Sequence, residues 1–250
     1  PGVTIRALKS ITVDGVLEGA NLISGEDIVV KGGILGGGTT QISCGGDMLA
    51  DFVEYTTINV KGSISANSFL DCKVMAVGTI TATGKMGAVI GGNAYGMRGI
   101  ECSAAGNDAN IKTVLSAGVS SNLQREKTLN ERKVKVLIES IEDLKNQAYE
   151  LERLARLGTV TEVMLKQRKT IDEEIEKKEK ELQSTKEKLS ELIMNMEGTE
   201  DAHIVINDTL YAGTLIQLGA QQLMVTEDKR KVEFMFDRNN QLVGRPIIDF

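Results

Sequence analysis

The chain is 250 residues long with a net charge of −6 and a pI near 5.1, which leaves no basic field to hold a phosphate backbone, so nucleic acid is not expected as a partner. Aromatic residues make up 4% and Trp is absent, a poor endowment for a compact globular core or a sugar-stacking cleft. No run of about 18 apolar residues is present to span a membrane, and no signal peptide is visible, so the expected compartment is cytoplasmic.

Glycines concentrate before Val119 and charges after it, which predicts two architectures in one chain. The chain opens on Pro1-Gly2 rather than Met, as expected of a fragment or a processed product that has lost an upstream region. The first architecture, over residues 1–119, is a repeat. Val13-Asp14-Gly15-Val16-Leu17 recurs as Val30-Lys31-Gly32-Gly33-Ile34, Cys44-Gly45-Gly46-Asp47-Met48, Val60-Lys61-Gly62-Ser63-Ile64, Ala76-Val77-Gly78-Thr79-Ile80 and Ile90-Gly91-Gly92-Asn93-Ala94. The pattern is apolar-x-Gly-x-apolar, returning about every 16 residues, and the copies are expected to stack in register. Alternation points the first and last residue of each copy to one face. The central Gly marks a bend or a close approach. Strands this short and this frequent leave no room for helices between them, and each can bury its apolar face only against the next copy. The expected fold is mainly β: a parallel, right-handed β-helix. Asn67, Asn93, Asn107 and Asn110 are candidate turn or stacking residues.

The glycine-rich stretches Gly32 to Gly38 and Gly91 to Gly96 do not open a helix after a strand, as a dinucleotide loop must. Gly78 to Lys85 is one residue too long for a phosphate loop, with Met86 where a magnesium-binding hydroxyl belongs. Cys44, Cys72 and Cys102 are widely spaced and the single His is His203, so a tetrahedral metal site is not expected; the thiols read as buried small apolar residues, with one disulfide left open. No cofactor is expected.

Residues 120–198 change period. Val134, Leu137, Ile141, Leu144, Ala148, Leu151 and Ala155 step 3-4 along a heptad, and Ile171, Ile175, Leu182, Leu189, Leu192 and Met196 continue it, with Lys178 and Thr185 in the same seam. Gly158 suits a helix C′ position, and Thr159 with Glu162 reads as a capping box opening a second helix. Two long helices joined by so short a turn predict an antiparallel coiled-coil hairpin inserted in the solenoid. Its ends, near Ala117 and His203, are expected side by side. The candidate partner-binding residues are those of its tip, Leu157, Gly158, Thr159, Val160 and Thr161.

Period two returns over residues 199–250. Ile204 to Leu210 repeats the earlier theme with Asp208 in place of Gly, and Thr214 to Leu218 alternates again. Gln222 to Thr226 and Lys231 to Phe236, joined by Glu227-Asp228-Lys229-Arg230, are expected to form a hairpin that caps the solenoid.

With these residues on the page, Asp27 to Ile34, Ile42 to Glu54, Val60 to Ile64, Gly87 to Gly92 and Ile100 to Gly106 resemble the flagellar assembly protein A (FapA) family, long a domain of unknown function. The likeness extends through the helical hairpin to Ile204–Gly213. A weaker likeness is to the β-helical domain of the septum-site inhibitor MinC and to bactofilins. The resemblance implies a β-helix with a coiled coil, a further N-terminal domain in most members, and a part in flagellar assembly or cell-pole organisation; it carries no catalytic motif onto this chain. The expectation is a non-enzymatic scaffold or adaptor for protein partners, able to self-associate through its coiled coil or solenoid ends. The alternative is a carbohydrate-active or carbohydrate-binding β-helix, against which stand the scattered acids Asp47, Asp51 and Glu54 and the few aromatics Phe52, Tyr55, Phe69 and Tyr95.

Overall fold

The computed structural model describes residues 2–84, 87–158, 161–196, 199 and 201–248. It divides into two units, residues 1–121 with 197–250, and residues 122–196.

The first unit is a parallel β-solenoid. Short strands from successive coils pair in parallel on three faces, and each face stacks one inward row. On the first face Ala7, Ser24, Cys44, Val60, Ala76, Gly96, Ala117 and Leu218 follow one another. The second stacks Ile11, Ile28, Met48, Ile64, Ile80, Ile100 and Ile204, and the third Leu17, Ile34, Val53, Phe69, Val89, Ala105 and Leu210. The isoleucine row is buried along its whole length. Each such side chain withdrawn from water contributes roughly 1.5–3 kcal/mol, and none could do so without the coils on either side.

The glycine repeat forms corners rather than continuous strands, and its copies are not in one register. Gly15 and Gly32 turn the chain from the second face to the third: Val13 pairs with Val30, and Leu17 with Ile34. Gly46, Gly62 and Gly78 turn it from the first face to the second, between Cys44 and Met48, Val60 and Ile64, and Ala76 and Ile80. Ile90 to Ala94 lies within the strand Ala88–Gly96, where Gly91 and Gly92 adopt positive φ between the third face and the first. The motif serves the corners at Gly15, Gly32, Gly46, Gly62 and Gly78 because each needs the same things: an apolar residue packed on the core on either side and a turn between them; at Gly91 and Gly92 the inward residue is Val89, and Ile90 is only half-buried.

Of the expected turn asparagines, Asn67 sits at a corner and its amide donates to the Asp51 carboxylate. Asn107 Oδ1 accepts from the Ile111 amide at 3.1 Å, and Asn110 has φ 52°. Asn93 is instead an outward residue of its strand, between Lys73 and Val114.

The two ends of the insertion meet, as the sequence predicts. The chain leaves the first face at Ala117 and re-enters on the second at His203, so the insertion stands at the same corner that Gly46, Gly62 and Gly78 make elsewhere. A Cβ built on Gly118 would lie 3.6 Å from Ala202 Cβ.

The closing strands pair differently from the sequence expectation. Gln221–Met224 pairs antiparallel with Leu215–Leu218, not with the strand that follows it. Lys229–Phe236 lies antiparallel along Ile204 to Leu210 and along Leu242–Pro246. There are thus two hairpins. Gly219 takes φ 57° in the turn of the first. In the second, Asp237 Oδ1 accepts from Asn239 and Gln241 backbone amides at 2.8 and 2.9 Å, which makes that turn a better reversal than Glu227 to Arg230. Val232 and Phe234 are buried beneath these strands.

The second unit is an antiparallel helical pair, α1 (Ser121–Arg156) and α2 (Glu162–Met196), each about 50 Å long at 1.5 Å per residue.

Candidate interaction site

The heptad positions fall where the period puts them. Leu137, Ile141, Leu144 and Ala148 of α1 are buried, and so are Thr185 and Leu192 of α2. Lys178 is half-buried in the same seam. Thr185 satisfies its hydroxyl by donating to the Glu181 carbonyl at 2.8 Å. Cross-helix ion pairs flank the seam: Lys188 with Glu126 at 2.8 Å, and Lys133 with Glu181 and Lys145 with Glu179 at 2.7 Å. All are exposed, so each adds little to stability. Lys133 nonetheless holds the Glu181 carboxyl below its ordinary range, first through the hydrogen bond and then through its charge.

Burial thins toward the turn. Leu151, Ala155, Met164 and Ile171 are only half-buried. Leu157 is 76% exposed, Val163 63% and Leu165 61%, with Tyr149 and Leu154 also exposed. A groove of about 800 Å³ opens here between the helices, lined by Leu151, Leu154, Val163 and Ile171, with Glu150 and Lys166 on its two sides.

Of the tip residues named from sequence, Leu157, Gly158 and Thr161 are in place at the turn; Thr159 and Val160 lie outside the described residues. Gly158 has φ 109°, as its C′ position demands. Thr161 caps α2. Its Oγ1 accepts from the Met164 amide at 3.3 Å and its carbonyl from Leu165 at 3.2 Å, because α2 begins at Glu162 and the cap is the residue immediately before. Leu154, Val163 and Leu165 are not marked out by the sequence reading. The available signal is their being apolar, outside the heptad frame and close to the turn.

Polar side chains at one corner of the solenoid tie successive coils together. Ser10 Oγ accepts from the Asp27 amide at 3.4 Å, Asp27 Oδ1 from Asp47 at 2.8 Å, Asp47 Oδ1 from Ser63 at 2.7 Å, and Ser63 Oγ from Thr79 at 3.1 Å. Each side chain thereby bonds the backbone of the equivalent residue one coil along. A Cβ at Gly46 would fall on the Asp27 carboxylate, at Gly62 on that of Asp47, and at Gly78 on the Ser63 hydroxyl. These corner glycines leave room for the neighbouring side chain. Cys44, Cys72 and Cys102 are free and buried. Burial pushes the Cys44 and Cys72 thiols up to about 11 and Cys102 to about 12, far from the range of a reactive thiolate. His203 is exposed, its Nδ1 2.8 Å from the Asp201 carbonyl. Among the described residues no group of three or more His, Cys, Asp or Glu side chains could hold a metal ion, and no helix is long and apolar enough to cross a membrane. A 460 Å³ depression runs along the first face, lined by uncharged polar side chains such as Asn21, Gln41, Thr57 and Asn59, with Arg6 at one end.

A parallel β-solenoid of stacked coils, with an inserted antiparallel helical pair, defines the class: a β-solenoid repeat protein. The family model described as the Flagellar Assembly Protein A beta solenoid domain matches residues 1–242, and the chain belongs to that family. No curated protein and no solved structure matches it.

Proposed function

We propose that this chain is a non-catalytic adaptor in flagellar assembly or cell-pole organisation, in which the solenoid is a rigid base and the end of the helical hairpin binds protein partners. The observation that carries the reading is the gathering of Leu157, Val163 and Leu165, all largely exposed, around the turn between α1 and α2. Exposed apolar side chains clustered on an otherwise charged element are what a protein interface requires. The partner-binding residues are Leu157, Gly158, Thr159, Val160 and Thr161, together with Val163 and Leu165. The three free thiols suit the reducing cytoplasm as the compartment.

The test compares proteins captured by the intact chain, by Leu157→Asp/Leu165→Asp, and by a chain lacking residues 126–196. The double variant and the deletion should lose the same partners. Partners retained by the deleted chain would move binding to the solenoid.

A second reading has one observation in its favour. The row of amides and hydroxyls along the first face, from Asn21 to Asn59, could serve hydrogen bonds to a glycan. Retention of the chain on immobilised polysaccharide, lost in Gln41→Ala/Asn59→Ala, would support it; passage without delay would reject it.

A further inference from the structure

Resting on the reading of the hairpin as an interaction element, we propose that the groove near its turn is covered by the same groove of a second copy, forming a four-helix interface. A two-helix seam buries few side chains, and this one buries progressively fewer toward the turn. Leu137 to Ala148 are shielded, whereas Leu151, Ala155 and Ile171 are open on one side. The groove exposes two leucines from α1, Leu151 and Leu154, and two β-branched residues from α2, Val163 and Ile171. Each helix thus contributes half of an apolar strip, which the other half can fill.

Charge selects a second copy as the occupant. The α1 side carries Glu150 and the α2 side Lys166, one charge of each sign, and the remaining polar lining residues, Asn146, Gln147, Gln167 and Thr170, are neutral. A twofold axis along the hairpin sets α1 of each copy against α2 of the other. Glu150 then faces Lys166 twice, and no like charges meet. Both residues now pair within their own helices, Glu150 with Arg153 at 2.9 Å and Lys166 with Glu162 at 3.1 Å. Those exposed pairs are worth little and are readily exchanged.

Sedimentation equilibrium of the full chain tests this, with circular dichroism confirming helix content in each variant. The wild-type chain should be a dimer, and Leu154→Lys/Val163→Lys, which sets like charges against each other across the axis, a monomer of unchanged helicity. Glu150→Lys and Lys166→Glu should each weaken dimerisation about tenfold through like-charge contacts, and the two together should restore it. A wild-type monomer up to about 100 μM would overturn the proposal, as would a dimer indifferent to Leu154→Lys/Val163→Lys or a charge exchange that fails to restore it. A monomer that still captured partners through its hairpin would sink the second copy and leave the adaptor role standing.

Discussion

The carboxylate of Asp27 accepts a hydrogen bond from the backbone N–H of Asp47, 2.8 Å away and one coil along, and it occupies the space that a Cβ at Gly46 would need. A side chain of one coil and a missing side chain of the next are therefore one feature. It explains why Gly is followed by Asp, Ser or Thr at Gly46-Asp47, Gly62-Ser63 and Gly78-Thr79. The glycine admits the oxygen from one neighbouring coil, and Asp47 and Ser63 each offer their own to the next, the ladder ending at the Thr79 amide.

The pairing makes a coupling testable. Gly46→Ala forces the Asp27 carboxylate aside and should destabilise the solenoid by about 1–3 kcal/mol. Asp27→Ala should cost about 1 kcal/mol through the unmade hydrogen bond. The double variant should cost less than the two together, because removing the Asp27 carboxylate vacates the room that the methyl added in Gly46→Ala takes. Urea denaturation of the four proteins measures it; strict additivity would mean that the two residues do not compete for the same space.

Tyr95 donates its hydroxyl to the Gly118 carbonyl at 2.9 Å, just where the chain leaves the solenoid for α1. Tyr95→Phe removes that hydrogen bond and should lower stability by about 1 kcal/mol. Hydrogen exchange at Ala117 and Gly118 should quicken in the variant. Unchanged protection there would show that the contact does not hold the exit.

In the helical unit, Ile141→Ala removes a buried seam residue and should destabilise the pair by about 2–4 kcal/mol. Lys178→Leu replaces a half-buried charge with an apolar residue at a heptad position and should raise the helical melting temperature. Circular dichroism at 222 nm follows both. A lower melting temperature for Lys178→Leu would show that its ammonium is needed in the seam.

The thiols give stability a pH dependence at the alkaline end. In the unfolded chain they ionise near 8.5, and in the fold near 11 to 12. Below 8.5 both states hold the proton and this contribution is fully present. Above it the unfolded state gives up protons that the folded state retains, so stability falls until the folded thiols themselves ionise. The melting temperature should drop between pH 8.5 and 11, less steeply in Cys102→Ala, and iodoacetamide should label the native chain far more slowly than the denatured one. Rapid labelling of native Cys102 at pH 8 would contradict its burial.

Much of the fold is legible in the sequence, and what is misread there is of one kind. The heptads of α1 and α2 set the seam from Val134 to Ala155 and from Ile171 to Met196, because a helix's periodicity is internal to it. The corner motif is visible in every copy but reads as a single register, since Val13 to Leu17 and Cys44 to Met48 look alike locally while lying on different corners. The closing hairpins fail similarly: Gln222 to Thr226 alternates as well against the strand before it as against the one after, and Gly219 decides. The exposed Val163 and Leu165 escape a heptad reading because they lie off the seam.

By itself, the amino-acid order determined that short strands would stack around an apolar interior and that a helical pair would interrupt them, because a period of two or of three and a half is written within each segment. The tertiary structure alone decided which coil lies on which, that Asp27 fills the gap left by Gly46, and that the hairpin replaces one corner of the stack. Those outcomes depend on residues about 16 to 100 positions apart meeting in space, and equivalent local patterns become distinguishable only when a neighbouring coil is there to pack against.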